Sequence, residues 1–474
     1  MSLLSTLLAL ALPTLLGVAI WVALCGRPRH AFDWSAALGA GYLGGVACWG
    51  VLLGLFRALP PATLFSALAG WLALAVALLL GLAWWRAPPP DNELLPRTIV
   101  TRSEWAAIAC AVLLLAVAAL AVVPQATQLP TLSWDAWNAW LAKAKAWYHV
   151  ERMLEVVGYE QWRDAPAGSV LTTTAHFYPE ALPRIAVWLA SAGGGWRESA
   201  VHLPWPLAWL ALGFACFGYL GRAGCGAAHA ALSAVALLSL PLVTAHAALA
   251  GYSDLWLAAV LMLAGFHFIA WFERRGWRDA VATAAFALLG VALKLEAAVW
   301  LACLLAAFVL ALLPRRWRWS ALLAGPMLWA AALPFGGLRL PLPGLGVVRF
   351  DWGLIEIPTR GTLTLAWRPV LDEFVQTLFL LPNWALFWYL APVLLVLRWR
   401  ALRERRALAA LGGFLALGYA FLFVLFFLTD ASAWAENFTS VNRVLLQIVP
   451  VTLCWLSLLW ATPAPRDTTP STAA

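Results

Sequence analysis

Long apolar runs separated by short polar breaks are the dominant pattern of this 474-residue chain. Runs close to or above the length of about 20 residues that crosses a bilayer fall at 4–24, 35–56, 63–85, 105–123, 199–220, 226–245, 250–271, 280–292, 297–313, 319–335, 377–397, 407–428 and 444–461. They predict an all-α polytopic membrane protein with about thirteen transmembrane helices, two short ones flanking Lys294. Two polar segments, 124–198 and 336–376, are long enough to be external loops. The second contains Pro341, Pro343, Gly344, Gly346, Pro358, Gly361 and Pro369, so it reads as loop with short strands at Val347 to Phe350 and Thr362 to Trp367. The layout divides into N-terminal spans and a polar link (1–104), a main membrane region (105–461) and a Pro/Thr/Ala tail (462–474) expected to be disordered. No internal repeat is visible, unlike the paired halves of many secondary transporters.

Composition removes the soluble alternatives. The chain is 63% hydrophobic and 11% charged, with mean hydropathy +0.82, against roughly 25% charged residues in soluble chains. The arginines at 27 and 29, 86–102, 222, 274–278, 315–318 and 398–406 fall in alternate loops, and short loops rich in positive charge stay cytoplasmic. This places the amino terminus outside, the carboxyl terminus inside, and 124–198, 246–253, 293–296, 336–376 and 429–443 on the outer side. The net charge of +8 is then a topology signal, not a nucleic-acid footprint. None of the seven cysteines falls in the two long outer loops, so neither disulfides nor a Cys-based metal site is expected. The 31 tryptophans suit a chain with many side chains at headgroup depth.

Charge type points to candidate chemistry. Only Lys143, Lys145 and Lys294 among 31 basic residues are lysine; codon bias explains an arginine excess, and so does a need for a compact ammonium at particular sites. Two of them close the segment SWDAWNAWLAKAK, Ser133 to Lys145. At 100° per residue, Trp134, Trp137, Trp140, Leu141, Ala144, Trp147 and Tyr148 share one face, with Asp135, Asn138, Ala139, Ala142 and Ala146 opposite and Lys143 and Lys145 flanking. That pattern predicts an interfacial helix with Ser133 as N-cap and Asp135 in its first turn, where a carboxylate stays ionised and can accept a proton or bind a metal. The plainer reading is an amphipathic helix whose Asp stabilises its own start. Further on, AHFYPEALPR groups His176, Tyr178, Glu180 and Arg184 at the return to the membrane, although a lone His such as His176 is more often structural. Asp254 in GYSDL opens a span, and Lys294 and Glu296 lie between two; ionisable groups at that depth are functional candidates, or Lys294 and Glu296 simply neutralise each other. Arg443 stands at the mouth of the last run, as a helix anchor or a phosphate donor. The predicted topology assigns all these groups to one side.

Together these segments resemble the GT-C superfamily of membrane glycosyltransferases, close in pattern to the bacterial relatives of protein O-mannosyltransferases and aminoarabinose transferases. WDAWNAWLAKAK matches the family's Asp in the first outer loop; HFYPEALP is similar to its His, Tyr-Pro element but one residue tighter between His176 and Tyr178. GYSDL matches Gly-x-Ala-Asp-Leu with Ser253 for Ala, LKLEA keeps only Lys294 and Glu296 of Thr-Lys-Asn-Glu-Gly, and Arg443 matches a closing Arg-Leu-Leu. The resemblance implies a GT-C-like bundle with long periplasmic loops in the bacterial inner membrane, moving a sugar from a polyprenyl-phosphate donor to a lipid, glycan or protein acceptor. Asp135 would be the base, giving inversion. The substrate-binding set would be Asn138, Lys143, Lys145, His176, Tyr178, Asp254, Lys294, Glu296 and Arg443, with the lysines and Arg443 steadying the leaving phosphate. Asp254 would orient substrate or hold a divalent cation, Mg or Mn, and loop 336–376 would cover the acceptor. A lipid-linked-sugar flippase or transporter, and a non-catalytic envelope assembly protein, are the competing readings.

Overall fold

The computed structural model describes residues 3–86, 101–342, 346–358 and 361–462. The expected tail beyond Thr462, the link 87–100, Pro343 and Gly344 lie outside the described residues. Among those described, eight helices are long and apolar enough to cross a membrane: Leu3–Cys25, Ala31–Phe56, Pro61–Arg86, Arg102–Gln128, Glu198–Arg222, Asp254–Arg274, Arg406–Leu428 and Val441–Ala461. The pair Ala227–Leu238 and Pro241–Ala248 makes a ninth if counted as one span, bent by 63°. The bend has a local cause: Leu240 is extended and Pro241 begins the second helix, where its ring cannot continue the first. The chain is an α-helical, multi-pass membrane protein. Four further apolar runs form the helices Trp277–Leu293, Ala297–Leu312, Arg315–Ala332 and Phe387–Arg398. The last, at 12 residues, rises only about 18 Å, short of a hydrocarbon core about 30 Å thick.

Burial sorts the helices. Asp254–Arg274 is the central post: its first sixteen residues, from Asp254 to Ile269, are all buried. Val441–Ala461 packs beside it and is buried almost throughout. Arg102–Gln128 is the opposite case, an outer helix with Leu113, Val117 and Leu120 exposed, as suits a surface in contact with lipid tails.

Small residues let three helices approach closely around Ala31–Leu52. A Cβ on Gly45 would lie 2.0 Å from the Pro13 carbonyl oxygen, and one on Gly17 would lie 2.0 Å from that of Gly41. Gly41 and Gly45 are four apart and share a face, the small-xxx-small arrangement that lets backbones touch. On its other side, Gly39 meets the backbone of Ala215, and Gly218 meets that of Ala36.

Ion pairs mark the two ends of the bundle. One end carries Arg222 against Asp33, Arg274 against Asp279, and Arg405 against Glu273. The other gathers Asp135, Asp254, Lys294 and Arg443. The long segment after the Arg315–Ala332 helix forms a four-stranded antiparallel meander of Leu338–Leu342, Gly346–Asp351, Leu354–Ile357 and Gly361–Thr364. The expected strand at 347–350 lies within the second of these, whereas the one at 362–367 stops at Thr364. Beyond that point Ala366 and Arg368 donate their amides to Leu428 and Phe427, so the backbone leaves the sheet for the end of the Arg406–Leu428 helix.

Gly45→Leu forces a side chain into backbone and is expected to cost at least the 1–3 kcal/mol or so of ordinary overpacking. The yield of monodisperse protein and its thermal midpoint in detergent should both fall. Gly70→Leu, at a position with open space around it, should leave both unchanged.

Candidate functional site

The site is built where helix ends converge. Asp254 is the first residue of its helix, Arg443 lies in the first turn of Val441–Ala461, and Lys294 is the extended residue that ends Trp277–Leu293 just before Ala297–Leu312 begins. Asp254 is fully buried. Its Oδ1 accepts from Lys294 Nζ at 2.6 Å and from Gln447 Nε2 at 2.8 Å, and its Oδ2 accepts from Arg443 Nε at 3.2 Å and Nη2 at 3.0 Å. Arg443 and Gln447 reach the same carboxylate because four residues is one helical turn. Trp300 Nε1 donates to Gln447 Oε1 at 2.7 Å, which turns the amide so that its N–H₂ faces Asp254.

From this clamp the network extends in two directions. Arg443 Nη2 also donates to Asp135 Oδ2, and the guanidinium lies 4.8 Å from the centroid of the Tyr252 ring. On the other side Lys294 is 3.5 Å from Glu296 Oε1, which also accepts from the Tyr178 hydroxyl at 3.4 Å. Burial, then the charge of Glu296, push the Tyr178 phenol up to about 12, so at neutral pH it is an O–H donor. Lys294 therefore has Asp254 as its first partner, not Glu296, and the two do not form the self-contained pair that sequence spacing allows.

The turn before Asp254 depends on a glycine. Gly251 has φ +108°, and a Cβ there would lie 2.2 Å from that of Ala136. This contact seats the Asp135 segment against the base of the central helix, and Ser133 Oγ donates to the Ala250 carbonyl at 3.1 Å. Ser133 is thus not a side-chain N-cap. The helix that follows is not regular either: over Ala136–Trp140 it widens into a π turn, with Leu141 N–H bonded to the Ala136 carbonyl. The extra residue shifts every later position relative to a 100° wheel. Trp134 and Trp137 are exposed while Trp140, Leu141, Ala144 and Trp147 are buried, and Lys143 is buried instead of flanking.

Several sequence candidates lie outside the charge network. Lys143 Nζ donates to the carbonyls of His176 and Tyr178, both at 2.9 Å, so it fastens the 150–178 loop. Burial lowers its ammonium to about 8. Lys145 makes an exposed pair with Glu198 at 3.3 Å, a type worth little. Asn138 donates to Thr174 Oγ1 at 2.6 Å, and the His176 ring meets Phe177 edge-on with centroids 5.2 Å apart. Both Asp254 oxygens accept from side-chain cations or the Gln447 amide. Among the described residues no three His, Cys, Asp or Glu side chains stand close enough to hold a metal.

Gln447, Tyr252, Trp300 and His246 enter the site without a sequence signal strong enough to select them. Only the i, i+4 spacing from Arg443 to Gln447 could have drawn attention. Four buried polar atoms nearby have no partner among the described residues: Ser253 Oγ, His246 Nε2, Trp140 Nε1 and Glu296 Oε2. Each such atom costs about 1–3 kcal/mol unless water or a ligand reaches it. Comparison with protein-family models, with curated proteins and with solved structures gives no match to this chain.

Asp254→Asn removes the charge that neutralises Lys294 and Arg443. Lys294 then keeps only Glu296, at 3.5 Å, and Arg443 only Asp135; removing one partner of a buried ion pair costs about 3–5 kcal/mol, so the thermal midpoint should drop sharply, and an unchanged midpoint would show that the clamp does not hold the helices. Lys143 behaves differently with pH. Its folded value of about 8 lies below the ordinary 10.5, so the unfolded chain holds more proton between the two and stability rises with pH across that window. The midpoint difference between wild type and Lys143→Met should widen from pH 7.5 to 9.5, and a constant difference would refute the assignment.

Proposed function

We propose that this protein is an inverting glycosyltransferase that uses a polyprenyl-phosphate-linked sugar at the outer face of the bacterial inner membrane. The observation that carries the reading is the pairing of Asp135 with Arg443 at the end of the bundle remote from the arginine-rich loops. Asp135 gives Oδ2 to Arg443, while its Oδ1 accepts no hydrogen bond among the described residues. Arg443 commits Nε and Nη2 to carboxylates and leaves Nη1 without a hydrogen bond among the described residues. A carboxylate oxygen and a guanidinium edge are therefore adjacent and unengaged.

The chemistry follows from that adjacency. An acceptor hydroxyl gives its proton to Asp135 Oδ1 as its oxygen bonds to the anomeric carbon from the face opposite the phosphate. The bond from that carbon to the phosphate oxygen breaks, and the electron pair leaves with the lipid phosphate, whose charge Arg443 Nη1 stabilises. Lys294 and Gln447 act through Asp254, which fixes the guanidinium. This reading rests on the thirteen-span topology, in which the shorter helices also cross, and on the positive-inside orientation.

One observation favours transport instead. Helices broken within the membrane line the paths of many carriers, and Ala227–Leu238 with Pro241–Ala248 is such a break. Asp135→Asn separates the two readings because it keeps the shape and removes the base. Incubated with a pool of polyprenyl-phosphate sugars and candidate acceptors, the purified wild type should consume one donor, and the variant should do so about 10²- to 10⁴-fold more slowly. Movement of lipid-linked sugar across vesicles that persists undiminished in the variant, without donor consumption by the wild type, would establish the carrier and end the enzyme proposal.

A further inference from the structure

The arginine-rich end of the bundle holds a second polar site, independent of the Asp135 cluster. A cavity of about 370 Å³ lies among the ends of Leu3–Cys25, Pro204–Arg222 and Asp254–Arg274 and the start of Trp277–Leu293. Arg222, Arg274, Arg278, Tyr219, His267 and Asp279 supply its polar wall. His267 is buried and held on both nitrogens, 2.8 Å from the Tyr219 hydroxyl and 3.2 Å from Asp279 Oδ1.

The charges there do not cancel. Arg222 pairs with Asp33, Arg274 with Asp279 at 3.1 Å, and Glu273, also on the wall, with Arg405. Arg278 lies over the Trp277 ring at 5.7 Å and has no carboxylate partner among the described residues. Four arginines thus meet three carboxylates, and one positive charge is left over. Arg222 uses only Nη1 and Arg274 only Nη2 for their hydrogen bonds, so further N–H groups stand ready for an anion.

The cavity continues into an apolar groove. A second space of about 350 Å³ shares Leu24, Cys25 and His267 with the first and runs along Leu3–Cys25, Ala31–Leu52 and Trp277–Leu293. Trp21, Gly44, Phe286 and Leu289 line it, and Ile20 and Leu288 on its rim are 40% and 59% exposed. The groove therefore opens sideways at a surface made of apolar membrane helices. Trp21 joins the two spaces, since Arg222 lies 5.0 Å from its ring.

We propose that these spaces form a binding site for one anionic phospholipid of the adjacent leaflet, with its phosphate among Arg222, Arg274 and Arg278 and an acyl chain in the groove. Charge complementarity selects the headgroup: a zwitterionic lipid brings an ammonium into a site that already has an excess of guanidinium. The apolar channel selects a lipid over a free ion, because only a lipid fills both spaces.

Native mass spectrometry of delipidated full-length protein, titrated with phosphatidylglycerol, phosphatidylcholine or inorganic phosphate, tests this. One phosphatidylglycerol should bind and raise the thermal midpoint, while phosphatidylcholine and inorganic phosphate should not. Arg278→Gln should weaken binding about fivefold, the contribution of one basic residue near a membrane surface. Ala285→Trp, at an exposed position on the groove, should weaken it at least as much by obstructing the chain. Both variants should melt like wild type without lipid, showing intact folds. Equal binding of the two lipids, equal stabilisation by inorganic phosphate, or unchanged affinity in both variants would overturn the proposal.

Discussion

A single buried carboxylate holds one end of this helical bundle together. An ionised group at the head of a fully packed helix is stable only if its oxygens are satisfied, and Asp254 meets that demand with Lys294, Arg443 and Gln447. Those partners come from a helix break and from the first two turns of the last span, so satisfying one charge brings together residues 40, 189 and 193 positions away. The position at the start of a helix adds the favourable field of its unpaired amides. Arg443, by contrast, stands at a positive helix end, an unfavourable place for a cation that two carboxylates offset.

Much of this was legible from the chain because membrane depth makes charge conspicuous. Asp254, Lys294 and Arg443 interrupt or border apolar runs where an ionisable residue is costly, and the structure joins them as neighbours. Gln447 was not legible: a neutral amide within a span carries little penalty, and its role depends on the indole of Trp300 turning it. The partners of Lys143 were not legible either. It looked like a free cation, but its partners are backbone carbonyls 33 and 35 residues onward, which no side-chain pattern announces. The π turn at Ala136–Trp140 has no sequence marker, so the faces drawn from a regular wheel were misplaced after it. Hydropathy locates an apolar segment better than it measures the helix within it: the run at 377–397 holds a regular helix of only 12 residues, Phe387–Arg398.

The rest of the bundle divides into stiff and loosely attached parts. Where Gly17, Gly41 and Gly45 put backbone against backbone, no side chain remains to re-pack, so the first two helices move as one body. The four-stranded meander is tied down by contacts that include Asp430, which accepts from the Thr364 amide at 2.8 Å and from Arg368 at 2.5 Å.

Sharing one guanidinium nitrogen between Asp135 and Asp254 has a further consequence. The buried partner cannot let go without stranding its charge, whereas Asp135, at 18% side-chain exposure, has water to turn to. On the proposed reading, an anion at the free Nη1 would draw on the same guanidinium that holds Asp135, and of its two carboxylates Asp135 would be the one able to yield, with Asp254 held in place by Lys294 and Gln447.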